Sequence, residues 1–132
     1  MGQILVDVRI ENALDRTHRV ECIGMVDTGA FGLILPAAWS GRLGHLPDRS
    51  RVDLEMADQQ VVTSEICGPA RIQIDGFRWV VGEVIFVDME PGPGGRFEPL
   101  VGYHVLESCN VVVDMVRHRL VARKYYDLKR VA

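Results

Sequence analysis

The residues best placed for chemistry are Asp27, Thr28, Gly29 and Ala30. An apolar run over 20–26, broken by Glu21 and Gly24, delivers the aspartate into a tight turn, and Leu33-Ile34-Leu35 follows as a second apolar run. A carboxylate in that setting leaves a buried strand at the mouth of a loop, where it can take or give a proton. Gly29 lets the backbone turn sharply and come close to whatever lies opposite. Thr28 brings a hydroxyl that donates and accepts at once. Other reactive groups lack a comparable setting. Ser40 and Ser108 stand outside any nucleophile elbow. His18, His45, His104 and His118 are far apart with no metal-ligand spacing, so no metal or other cofactor is expected. His104 reads as a solvated residue of a short helix, with a place near an interface between protomers as the alternative.

Strands must position this loop. Alternation of Ile4, Val6, Val8 and Ile10 with polar neighbours predicts a strand over 3–10, and a second strand runs over 17–26 into Asp27. Residues 33–35 continue as a short strand, and Pro36 opens a helical or turn segment to Trp39. A surface loop is expected over 41–50. Strands over 51–56 and 60–66 flank Ala57-Asp58-Gln59, and Gly68-Pro69 is expected to break the sheet. A further hairpin, 70–75 with 77–87, turns at Asp75-Gly76, with Gly82 marking a bend. Pro91-Gly92-Pro93-Gly94-Gly95 is a loop. Pro99-Leu100-Val101-Gly102 precedes a short helix over 103–108 and a strand over 110–115. Many short strands and few helices predict an all-β, barrel-like domain. Phe31, Trp39 and Trp79 are expected in the core or in a pocket wall.

Asp27-Thr28-Gly29-Ala30 between apolar residues resembles the active-site motif of aspartic proteases. The later apolar pair before Gly102, followed by a helix, is the second half of that pattern. Together, in this order, they resemble the single-domain retropepsin-like proteases over about 20–121. The resemblance implies a closed, barrel-like retropepsin fold with one short helix and a domain over 1–124, beyond which the residues over 125–132 read as a basic tail. It makes Asp27 the catalytic residue and Thr28, Gly29 and Ala30 its supports. Ala57, Asp58, Gln59 and Gln60 become the tip of a flap over the substrate, a tip poorer in glycine than is usual in the family. Gly102 lets the helix pack close behind the catalytic loop.

The mechanism implied needs two carboxylates sharing one proton, because two charges that close cannot both ionise. The chain holds a single Asp-Thr-Gly, so activity implies a homodimer with one Asp27 from each protomer at a two-fold axis. Thr28 would hydrogen-bond across that axis. In retroviral relatives the chain termini interleave into a shared sheet, and the basic tail departs from that pattern. The implied substrate is an extended peptide with apolar side chains.

Composition sets the remaining bounds. The chain has 132 residues, 48% of them hydrophobic, which suits one domain with a modest core. A net charge of -3 gives no reason to expect nucleic acid or a membrane surface as partner. No signal peptide or membrane span is evident. Cys22, Cys67 and Cys109 are odd in number and widely spaced, which reads as reduced thiols in a cytoplasmic protein. Two other readings stand beside the peptidase: a non-catalytic peptide-binding or dimerisation module on the same fold, and a subunit of a larger hetero-assembly. For Asp27 itself, the bland alternative is an ordinary Asx turn between strands.

Overall fold

The computed structural model describes residues 3–56 and 58–123. Ala57 and the tail over 125–132 lie outside the described residues. Nine strands form: β1 (Leu5–Asn12), β2 (Asp15–Val26), β3 (Leu33–Pro36), β4 (Asp48–Glu55), β5 (Val61–Ile74), β6 (Val80–Val87), β7 (Leu100–Val101), β8 (Val111–Asp114) and β9 (Arg119–Ala122). One α-helix, α1 (Tyr103–Ser108), and two 3-10 segments, Ala37–Leu43 and Pro93–Gly95, complete them. The chain is mostly β, as its turn-rich pattern predicts.

Seven strands make one sheet in the order β1-β2-β7-β3-β6-β5-β4, and β1 also pairs β5, so the sheet curls into a ring with β4 outside it. A separate two-stranded sheet joins β8 to β9. Strand alternation divides the apolar residues between two clusters. Leu33, Leu35, Val84 and Phe86 face the main core together with Val8, Ile10, Ile72 and Val101. Ile34, Ile85 and Val87 point the other way, into a second cluster with Ala30, Leu54, Val62 and Ile66. Burial on both faces explains why β3 and the second half of β6 read as unbroken apolar runs.

Two details depart from expectation. Gly68-Pro69 does not break the sheet. β5 runs through both residues, and the irregularity is absorbed as a register shift between Cys67 and Ala70, opposite Gly82. The loop expected over 41–50 is shorter, since the 3-10 segment reaches Leu43 and β4 begins at Asp48. Asn12 explains how that stretch is held. Its buried side-chain amide donates to the Leu43 and His45 carbonyls at 2.8 Å each, and its oxygen accepts from the Leu14 N–H at 2.8 Å. Strands and helices therefore lengthen wherever a neighbour satisfies their backbone.

Candidate active site

Asp27 sits where β2 must hand over to β3 across an intervening strand. β7 pairs β2 in parallel, Met25 with Leu100 and Val26 with Val101. On its other side β7 pairs β3 antiparallel, Leu33 with Val101 and Ile34 with Leu100. The segment 27–32 therefore arches over the end of β7. The Asp27 N–H donates to the Val101 carbonyl at 3.0 Å, which extends the parallel ladder to the aspartate itself.

The far side of the arch is fastened to α1. Gly102, Tyr103 and His104 N–H groups donate to the carbonyls of Gly32, Ala30 and Phe31 at 2.9, 3.0 and 3.0 Å. The first amides of a helix have no partner within the helix, and here the loop supplies acceptors for them. That approach requires glycine at 102. A Cβ there would lie 2.5 Å from the Ala30 and Gly32 oxygens and 2.7 Å from the Gly32 nitrogen. The expected close packing of the helix behind the loop is thus present in atomic detail.

Within the loop, Asp27 is half-buried and Thr28 and Gly29 are exposed. The Asp27 carboxylate accepts the Gly29 N–H on Oδ1 at 2.9 Å, and the Ala30 N–H donates to the Asp27 carbonyl at 3.0 Å. The first contact is an Asx turn, so the bland reading of the motif is geometrically real. It also fixes the direction of the carboxylate. Ala30 is half-buried and packs against the second apolar cluster, as do Leu54 and Val62 from β4 and β5. The hairpin that the resemblance makes a flap is therefore tied to the Asp27 loop by an apolar floor.

At the hairpin tip the described residues Asp58, Gln59 and Gln60 are exposed. The turn closes through Met56 N–H to Gln60 carbonyl at 2.8 Å and Gln59 N–H to Met56 carbonyl at 2.9 Å, with Gln60 N–H on Asp58 Oδ1 at 3.1 Å. Gln59 takes φ +68°, a conformation that favours glycine. The glycine-poor tip noted in the sequence thus places a side chain where the backbone would take glycine more easily.

Phe31 lines a pocket wall, as expected: it borders a cavity with Gly32, Ile66, Ile85 and His104 while 46% of its surface stays exposed. Its ring stacks on His104 at 5.3 Å and meets Tyr103 edge-on at 5.8 Å. Trp39 also lines a pocket wall. It borders a groove of about 550 Å³ with Leu5, Ile23, Met25 and Phe97, on the outer side of β1 and β2. Sequence reasoning passed over Leu54, Val62 and Ile66 as contributors to the floor. Only their alternation along the hairpin signals it. Among the described residues, no group of three or more His, Cys, Asp or Glu side chains could hold a metal ion. No helix among them is long and apolar enough to cross a membrane.

Comparison with known proteins bears on the fold. No family model and no curated protein matches the chain. Among solved structures, the EIAV protease complexed with the inhibitor HBY-793 is similar, at a TM-score of 0.57 and 18% identity, covering 80% of this chain and 86% of that one. At that identity the likeness is one of fold. The chain adopts a retropepsin-like fold.

Proposed function

We propose that the chain is an aspartic endopeptidase that works as a homodimer, with Asp27 of each protomer forming the catalytic pair. The observation that carries this reading is the Asp27 loop. A carboxylate aimed by the Gly29 N–H sits on an arch locked to β7 and α1. An apolar cluster against which both the loop and the β4–β5 hairpin pack lies beside it. A carboxylate serving only an Asx turn needs no such anchoring. Thr28 and Gly29 support the loop and leave its mouth open, and Ala30 packs behind it. Residues 58–60 form the flap tip.

The chemistry follows from the pair. The ionised carboxylate takes a proton from water as the water oxygen bonds to the scissile carbonyl carbon. The protonated carboxyl passes its proton to the carbonyl oxygen, giving a neutral gem-diol. Return of a diol proton to the pair, with proton donation to the amide nitrogen, breaks the C–N bond. An acid and an amine leave, and one proton remains on the pair. The substrate is an extended peptide with apolar side chains on the Ala30, Leu54 and Ile85 floor. Residues 1–124 form the catalytic domain. The three unpaired thiols suit a reducing, cytoplasmic setting.

Two features favour the second reading, a peptide-binding module without catalysis: Gln59 in a glycine conformation at the flap tip, and an Asx turn that already employs Asp27. Cleavage of a peptide library with Asp27→Asn alongside separates the two. Cuts between apolar residues that vanish in the variant support the peptidase. Peptide binding without cleavage, by a sample shown to be dimeric, supports the module.

A further inference from the structure

We propose that the groove bordered by Trp39, Arg42 and Arg96 takes an acidic side chain of the peptide, a few residues from the bond that is cut. This rests on the peptidase reading of Asp27 and adds a substrate class to it, since that reading alone asks only for apolar side chains.

The groove lies on the face of β2 that Asp27 shares. Val20, Cys22 and Val26 pack on the main core, so the alternate residues Glu21, Ile23 and Met25 stand on the outer face. The Asp27 N–H continues the ladder to β7, which keeps the aspartate in that alternation two residues beyond Met25. At roughly 3.3 Å per residue, Met25 stands about 7 Å from Asp27 and Ile23 about 13 Å. Two to four residues of extended peptide span the same distances. The two-fold symmetry of the proposed dimer supplies one such groove on each side of the scissile bond.

The bed of the groove is apolar and uncovered. Leu5 and Ile23, in adjoining strands, keep 59% and 58% of their surface open. One wall is a ladder of planar groups. Phe97 meets Trp39 edge-on at 6.0 Å, and the Arg42 guanidinium lies 5.4 Å from the Trp39 ring centre. A guanidinium held against an aromatic face is pre-positioned and keeps its N–H edge available to a carboxylate. Arg96 lines the same groove from the loop before β7. Among the described residues, neither Arg42 nor Arg96 makes an ion pair or a side-chain hydrogen bond. The two acids at the groove have their own neighbours. Glu21 stands opposite Arg9 in the β1–β2 register. The Glu98 carboxyl leans on the backbone at Gly92, 3.2 Å from where a Cβ would stand. The charge left to meet a ligand is therefore positive. A purely apolar occupant would strip water from two guanidiniums and give nothing back, whereas a carboxylate pairs with them.

Fluorescence anisotropy with Asp27→Asn protein tests this, alongside cleavage by wild type. The peptides are blocked at both ends, so a side chain supplies the sole carboxylate. Each has an apolar centre and carries Glu, Gln or Lys two, three or four residues from the central bond. At one of these positions the Glu peptide should bind about tenfold more tightly than the Gln peptide, and wild-type kcat/KM should follow the same order. Arg42→Gln/Arg96→Gln, made in the same background, should bring the Glu:Gln ratio to about one. Arg42→Glu/Arg96→Glu should make the Lys peptide the best ligand. Each ratio compares two peptides on one protein, so a general loss of stability leaves it unmoved. Ile23→Lys, at an exposed position of the bed, touches neither arginine and should raise the ratio. Arg16→Gln, outside the groove, should leave it unchanged. Absent binding, a ratio near one before the arginines are changed, or a ratio that survives in Arg42→Gln/Arg96→Gln overturns the proposal. So does self-association weakened by Arg42→Glu/Arg96→Glu with no peptide preference, which would seat a second copy in the groove. Selective binding of the Glu peptide by a wild type that cleaves nothing would refute the peptidase reading alone, because the groove is read from binding.

Discussion

The Asp27 loop and the β4–β5 hairpin face the same apolar floor but are built on opposite principles. The loop is fastened from two sides, by Val101 beneath and by the three N–H groups of Gly102, Tyr103 and His104 behind. Glycine at 102 removes the space in which it could shift. The hairpin is held to the sheet through the pairing of β5 with β6, which starts only at Glu65, and its tip is exposed and carries Gln59 at φ +68°. A site that must hold a carboxylate in place and also admit a peptide needs one part of each kind. Local opening free energies range from near zero at exposed tips to the global value in packed elements. The contrast therefore has measurable consequences.

The largest is at Gly102. Gly102→Ala puts a methyl group against backbone oxygens that cannot turn aside, so it should cost about 3 kcal/mol, read as a lowered urea midpoint. Should the variant keep wild-type stability, the arch is not locked to α1. Hydrogen exchange addresses the same contrast without mutation. The Asp27, Gly102 and Tyr103 amides should exchange about 1000-fold more slowly than those of Asp58 and Gln60. Comparable rates would remove the distinction between the two parts. A gentler probe of the arch is Gly32→Ala. Its Cβ would meet the end of the Ile85 side chain at 3.2 Å, a group able to move, so a cost of about 1 kcal/mol is expected from thermal unfolding.

Gln59→Gly relieves the tip conformation while adding freedom to the unfolded chain, so global stability should change by less than about 1 kcal/mol. Under the peptidase reading, its effect should appear in KM. The smallest effect concerns Cys22, in the strand that leads to Asp27. Burial, then the nearby charge of Asp7, pushes its thiol up to about 11. The thiolate is the reactive form, so alkylation should be slow at pH 8 and accelerate as pH rises toward that value. Fast labelling at pH 8 would mean that the strand before the loop opens readily.

The two regions were unequally legible in the sequence. The loop and its helix announce themselves because their chemistry is local. An aspartate, a small polar residue and glycine between apolar runs define the arch, and an apolar pair before glycine defines its support. The turn-rich pattern alone gives only the all-β class, and the retropepsin-like topology comes from the family resemblance that this order of segments carries. The hairpin boundaries were less legible, since Gly68-Pro69 reads as a stop and the pairing with β6 absorbs it. Phe31 was legible as a pocket-wall residue, but the stacking of its ring depends on His104, far along the chain. The β8–β9 pairing and the Asn12 clamp likewise depend on contacts between segments that no local pattern records.

The central claim is that Asp27, paired across a two-fold axis, activates water. The direct measurement is the peptide-cleavage rate as a function of protein concentration, for wild type and for Asp27→Asn. Asparagine retains a side-chain oxygen for the Gly29 N–H, so the turn should persist and the variant should fold and dimerise. Wild type should show activity rising with the square of concentration below the dimer transition and linearly above it. The variant should lose at least about 1000-fold, or about 4 kcal/mol of transition-state stabilisation. Cleavage that survives in Asp27→Asn, or that stays linear in concentration for a monomeric sample, would contradict the account.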